Sequence, residues 1–167
     1  MKIDSELLDN LSAQAKASPR LRMNLDLRDS AEDSSQRMLN AIEPGSVVPI
    51  HRHRKTSETV VVLRGRAVQY LYDDQGRETG SVLLAPFGAD CHVADAPRND
   101  VEWLSPGART EAVPAMQVEM GQWHRLEALD PGTVILEFKN GAYVRNPDHG
   151  RPVNPFKIPL KRYSFTY

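Results

Sequence analysis

The 167-residue sequence predicts an all-β domain, a sandwich or barrel, preceded by one short helix. Three observations carry this reading. Apolar residues recur at helical spacing only near the N-terminus, and the period changes to two at Gln36. Beyond that point, short β-branched runs are punctuated by glycine and proline roughly every ten residues, the rhythm of a sandwich or barrel.

Residues 4–17 place Leu7, Leu8, Leu11 and Ala15 three and four apart, with Asp4 or Ser5 available as the cap. The helix should stop at Ser18-Pro19, because a residue before proline avoids the helical region. Residues 19–35 are polar and read as an irregular arm with one short strand at 21–28. From Gln36, Met38, Asn40 and Ile42 alternate with Arg37, Leu39 and Ala41. Pro44-Gly45 makes a turn and Val47 to His53 runs extended. Thr59 to Leu63 reads as a strand buried on both faces. Gly65 breaks it, and Ala67 to Tyr72 continues to the turn at 73–76. Further strands are expected at 79–85, 100–104, 116–120 and 133–139. The organisation is then a helix and arm (1–35), a β core (36–143) and a proline-dotted extended tail (144–167), all in one domain. The tail is expected to lie on the core or on a second subunit.

Composition narrows the function. Of the residues, 40% are hydrophobic, and 21 Lys and Arg stand against 22 Asp and Glu, a formal charge of −1. Such balance gives no general case for nucleic acid or an anionic membrane surface. No apolar run is long enough to cross a bilayer. The opening MKIDSELLDN lacks the apolar core of an export signal, and one cysteine makes no internal disulfide, so the expectation is cytoplasmic.

The chemistry is concentrated between Gly45 and Gly65. His51 and His53 are two apart on an extended segment, so both rings project from one face while Arg52 points to the other. Glu58 follows across a short turn, which brings its carboxylate beside both rings. Two imidazoles and a carboxylate converging from adjacent strands suit a divalent transition metal. The bland alternative is a pair of ordinary surface histidines at a strand end.

The spacing glycine, five residues, His-x-His, four residues, glutamate, six residues, glycine resembles the first motif of the cupin superfamily in full. That resemblance implies a cupin fold, a double-stranded β-helix or jelly-roll barrel with the site inside it. The second cupin motif supplies a further histidine ligand. Gly121-Gln-Trp-His124 keeps its Gly-x-x-His, with Glu119 in place of the usual proline and Ala128 in place of the usual asparagine. The implied shell is His51, His53, Glu58 and His124 around one divalent transition metal per chain, whether Zn, Fe, Ni, Mn or Cu. Within the superfamily the chain resembles the WbuC family of metalloproteins from about Leu8 to Tyr143. The shared stretches are Ser18 to Asn24, Gln36 to Asn40, Pro49 to His53, Gly121 to His124 and Glu137 to Tyr143, with Ala142 where the family has proline. The resemblance implies a setting in surface-polysaccharide synthesis.

Other residues invite two readings each. Arg20, Arg22, Arg28 and Arg37 form an anion pocket or are merely solvated. Asn24 and Asn40 orient a substrate or bond the strand edges. Glu137 and Lys139 alternate onto one face as a proton-transfer pair or a simple ion pair. Cys91-His92 lacks zinc spacing, and His149 reads as solvent-facing. The expectation is a metal-dependent enzyme, an isomerase, epimerase or oxygenase, acting on a small polar anion such as a sugar or nucleotide-sugar. Arg20, Arg22, Asn24, Arg37 and Asn40 would bind it, and Glu137 or Lys139 would move a proton. A non-catalytic ligand-binding cupin is the alternative, and a metal-independent sugar epimerase the third. A small-molecule ligand and a homodimer are the expected partners.

Overall fold

The structure, a computed structural model, describes residues 1–88 and 109–141. The strand expected at 100–104, Cys91-His92, Trp103, Ala142, Tyr143 and the tail 144–167 lie outside the described residues.

Helix α1 spans Ser5–Ala17. Asp4 caps it by accepting from Leu7 N at 3.1 Å, an interaction worth about 1 kcal/mol over alanine. Among the described residues nine strands follow: β1 (Arg22–Asp26), β2 (Ser35–Ile42), β3 (Glu58–Arg64), β4 (Ala67–Tyr72), β5 (Glu78–Leu84), β6 (Arg109–Val113), β7 (Ala115–Val118), β8 (Trp123–Ala128) and β9 (Thr133–Asn140). They form a five-stranded sheet, β1-β2-β9-β3-β7, and a four-stranded sheet, β6-β5-β4-β8. The described residues are mostly β, with two sheets and one helix. No ladder among the described residues joins the two sheets into a closed barrel.

The alternation that began at Gln36 explains the layering. Ile42 of β2, Val60 and Val62 of β3 and Ile135 of β9 meet Ala67, Leu84, Leu126 and Ala128 of the second sheet in one apolar cluster. On the other side of the first sheet, Leu39, Ala41 and Val134 receive Leu11 and Ala15 of α1. Fully burying a leucine such as Leu11 stabilises by about 2 kcal/mol, enough to hold a helix of marginal intrinsic stability. A third cluster, with Ile50, Val68, Tyr70, Tyr72 and Leu83, covers the far face of the second sheet.

Two expectations change, and two strands are additional. Strand β3 is buried on alternate residues only, because α1 packs mainly on β1, β2 and β9 and leaves Thr59, Val61 and Leu63 half-buried. Residues 47–53 form no strand beyond a single bridge at His51. Pro49 within that run has no N–H for a ladder. Strands β6 and β8 were not anticipated from the sequence. Among the described residues no helix is long and apolar enough to cross a membrane.

Candidate metal centre

The approach to the site is a turn at Gly45, where φ is +86° and Ser46 N donates to Glu43 O at 3.0 Å. The chain then runs irregularly to His51. There it forms one antiparallel bridge with His124 of β8, His51 N donating to His124 O at 3.0 Å and His124 N to His51 O at 2.9 Å. Directly opposed residues share a face, so both rings point the same way. His53 follows two residues on, its carbonyl accepting from Gly121 N at 2.8 Å. Glu58 opens β3 and enters from the facing sheet.

These placements bring one ring nitrogen each of His51, His53 and His124 within 4.8 Å of one another. The ring centroids lie 5.1 Å (His51–His53), 4.3 Å (His51–His124) and 5.5 Å (His53–His124) apart. The Glu58 carboxylate joins them, Oε2 at 2.8 Å from His53 Nε2 and Oε1 at 3.7 Å from His124 Nε2. His124 and Glu58 are only 2% and 5% exposed, while His51 and His53 are half-buried, so the site is shielded on its His124–Glu58 side.

Whether a cation fits can be judged from the imidazoles. His51 Nδ1 lies 2.9 Å from Pro49 O and His124 Nδ1 lies 2.8 Å from Gln122 O. A carbonyl only accepts, so each Nδ1 carries the proton and each Nε2 keeps a lone pair. His53 Nδ1 faces the Lys139 ammonium at 3.4 Å, too long a contact to fix its tautomer. The Nε2 atoms of His53 and His124 are buried with no aligned hydrogen-bond partner. The 2.8 Å approach of His53 to Glu58 is therefore juxtaposition rather than a well-directed bond. Burying polar atoms unpaired is unfavourable by about 1–3 kcal/mol each. Electron-pair donors held together in this way fit a divalent transition metal.

Electrostatics agree. Burial and the neighbouring His124 lower His51 to about 3, so its ring is neutral at pH 7. Burial alone would raise Glu58, but the His124 and His53 rings outweigh it and hold the carboxyl well below the usual range. A neutral His51 ring and an ionised Glu58 carboxylate are protonation states in which a metal can be bound.

The inner face of the first sheet extends this site. Gln36, Lys139, Glu58 and Val118 form one row across β2, β9, β3 and β7, and Met38, Glu137, Val60 and Met116 form the next. Burial and the Glu58 charge push Glu137 up to about 8, against the opposing effects of Lys139 and a hydrogen bond with Asn40. Glu137 thus carries a proton at pH 7. Lys139 makes no ion pair among the described residues.

The remaining candidates are dispersed. Asn24 faces Asn40 across β1 and β2 but is exposed on the edge strand, donating to Met38 Sδ at 3.4 Å. Arg37 is on the opposite face of β2 and pairs with Asp33 at 2.7 Å. Arg22 donates to Val47 O, bracing the loop before His51, and Arg20 is exposed. Arg28 folds back on Asp26 at 2.7 Å. The structure does not gather these arginines around the histidines. One residue the sequence reading passed over is Gln36, 3% exposed, with Oε1 lacking a partner. Extending the alternation of Met38 and Asn40 back by one step would have found it.

A family model described as a domain of unknown function (DUF6016) matches residues 3–84. No curated protein sequence matches the chain. Among solved structures, the chain is similar to KdgF from Halomonas sp., with 14% identity over 79% of this chain and 87% of that one, at a TM-score of 0.47. It is also similar to an oxalate oxidase in complex with the substrate analogue glycolate, with 14% identity over 77% and 55% and a TM-score of 0.49. A mutant of Bacillus subtilis oxalate decarboxylase gives 13% identity over 76% of this chain, a TM-score of 0.48, and only 26% of the decarboxylase spanned.

Proposed function

We propose that this chain is a metal-binding protein of the cupin type and an enzyme acting on a small polar anion, such as a sugar or nucleotide-sugar of surface-polysaccharide synthesis. The observation that carries the reading is the buried convergence of His51, His53, His124 and Glu58 with two ring nitrogens left unpaired. A divalent transition metal held by these four groups would polarise a carbonyl or lower the pKa of a water from ~16 toward ~7.

The chain's own residues supply the rest. Lys139, lacking an ion-pair partner among the described residues, offers its Nζ to a substrate carboxylate or phosphate. Glu137, protonated at pH 7, offers a proton from its carboxyl and can take one back. Gln36 Oε1 accepts from a substrate hydroxyl. The apolar half of the interior, from Ile42 to Leu126, keeps water from the far side. The sequence resemblance to the WbuC family supports the polysaccharide setting.

The test is a panel of sugars, sugar acids and nucleotide-sugars incubated with metal-loaded protein and followed by NMR. Turnover of at least one is expected, with Lys139→Met weakening its binding about tenfold, the loss of one charge-assisted bond of ~1.5 kcal/mol. Ligand-induced thermal stabilisation without turnover would replace the enzyme with a binding protein. A panel neither bound nor changed would overturn the reading.

A further inference from the structure

Two of the four groups in the candidate metal centre, His51 and His53, stand on a segment with little backbone support. Among the described residues, the chain between β2 and β3 is tied to the second sheet by the His51–His124 bridge and by Gly121 N donating to His53 O. The residue between the two histidines adds a third tie. With His51 and His53 pointing inward, Arg52 points outward, and on β8 Trp123 does the same beside inward His124.

There the two side chains meet. The Arg52 guanidinium lies over the Trp123 ring, Cζ 4.4 Å from its centroid. Arg52 Nη1 donates to Asp74 Oδ1 at 2.9 Å, and Trp123 Nε1 donates to the same oxygen at 3.0 Å. Asp74 stands in the turn between β4 and β5, so one carboxylate oxygen ties three segments together. Gln122 reinforces the junction, Nε2 donating to Tyr72 O at 2.8 Å. Arginine suits this position where lysine does not, because a planar fork can stack on an indole and bond edge-on to a carboxylate at once.

We propose that Arg52, clamped between Trp123 and Asp74, is a positioning residue that holds the His51–His53 segment against β8 so that the three imidazoles stay convergent on a metal. The proposal rests on reading the cluster as a metal centre. Each contact is weak alone, as part-exposed cation–π pairs and surface ion pairs are. Their effect is geometric. Metal–ligand distances tolerate only about 0.2 Å, and disturbing groups that orient ligands weakens metal binding by about 10–100-fold.

The experiment is a cobalt(II) titration of chelator-stripped protein, followed by calorimetry and by the visible spectrum of the bound ion, with the melting temperature of the metal-free form measured alongside. Arg52→Met is expected to bind cobalt about 10–100-fold more weakly than wild type, with an altered spectrum. Its metal-free melting temperature should stay within a few degrees of wild type. Arg52→Lys should recover only part of the affinity, since lysine restores charge without the fork. Should Arg52→Met not fold, Asp74→Ala carries the test, its side chain being 73% exposed. Cobalt affinity and spectrum at wild-type values in Arg52→Met or in Asp74→Ala, or a lowered metal-free melting temperature with affinity unchanged, would overturn the proposal. A wild-type chain that takes up no cobalt would instead overturn the metal centre on which it rests.

Discussion

His53 Nε2 and Glu58 Oε2 are held 2.8 Å apart, yet the ring nitrogen has no aligned hydrogen-bond partner. The two atoms belong to a loop and to the first residue of β3, and both are shielded. Contact without a directed bond is what an ion between them would resolve. Replacing the carboxylate by a neutral amide keeps the volume and removes the charge. Glu58→Gln is therefore expected to weaken zinc or cobalt binding by at least the ~10–100-fold typical of lost ligand-orienting groups, as read by calorimetry. Affinity within twofold of wild type would remove Glu58 from the shell.

Metal-free protein should be most stable on a plateau between about pH 4.5 and 6.5. Glu137 is raised from 4.5 to about 8, so the folded state keeps a proton that the unfolded chain releases. Its contribution is complete below the unfolded value and is lost as pH rises through the folded one. His51 is lowered from 6.5 to about 3, so the unfolded chain gains a proton the folded one refuses, and stability falls as pH drops below 6.5. Between 4.5 and 6.5 the two slopes cancel. Below that, the depressed Glu58 adds to the acid loss. Thermal melts in chelator should show the melting temperature declining by a few degrees from pH 6.5 to 8, at ~2–4 °C per kcal/mol. Glu137→Gln should flatten that alkaline arm, and an unchanged arm would contradict the assignment.

The two glycines that bracket the His-x-His segment differ in what they tolerate. At Gly65, φ is +72° and an added Cβ would sit 2.4 Å from Thr133 Oγ1 and 2.9 Å from its Cα, a backbone atom that cannot swing aside. At Gly45, φ is +86° but the nearest atom is Leu21 Cδ1 at 3.6 Å. Gly45→Ala is expected to destabilise by about 1 kcal/mol, from the left-handed backbone alone. Gly65→Ala should lose roughly 2–4 kcal/mol once the overlap is added. Chemical denaturation measures both, and equal losses would be the contrary result.

Much of this was legible because single residues report simple geometry. The three-and-four spacing of Leu7, Leu8, Leu11 and Ala15, with Asp4 before them, specifies α1 almost to the residue. The two-residue spacing of His51 and His53 was enough to put both rings on one side, while Glu58 reaches them from the facing sheet. Strand β8 was hidden because two of its outward residues, Arg125 and Glu127, are charged. Arg125 stacks on Tyr70 at 4.2 Å and bonds Tyr72 and Glu127, so charges that read as solvent-facing are paired beneath a surface. Arg37 was ambiguous for the converse reason, since its partner Asp33 lies in the irregular arm. The Arg52–Trp123–Asp74 junction joins residues far apart in the chain, a closeness that periodicity does not encode.

The most direct measurement is elemental analysis of protein purified without chelator and incubated with excess zinc, iron(II), nickel or manganese, beside a His51→Ala/His53→Ala variant. The account predicts one divalent transition metal per wild-type chain and none retained by the variant at equal folding. A wild-type chain that retains no metal, or a variant that retains as much, would contradict it.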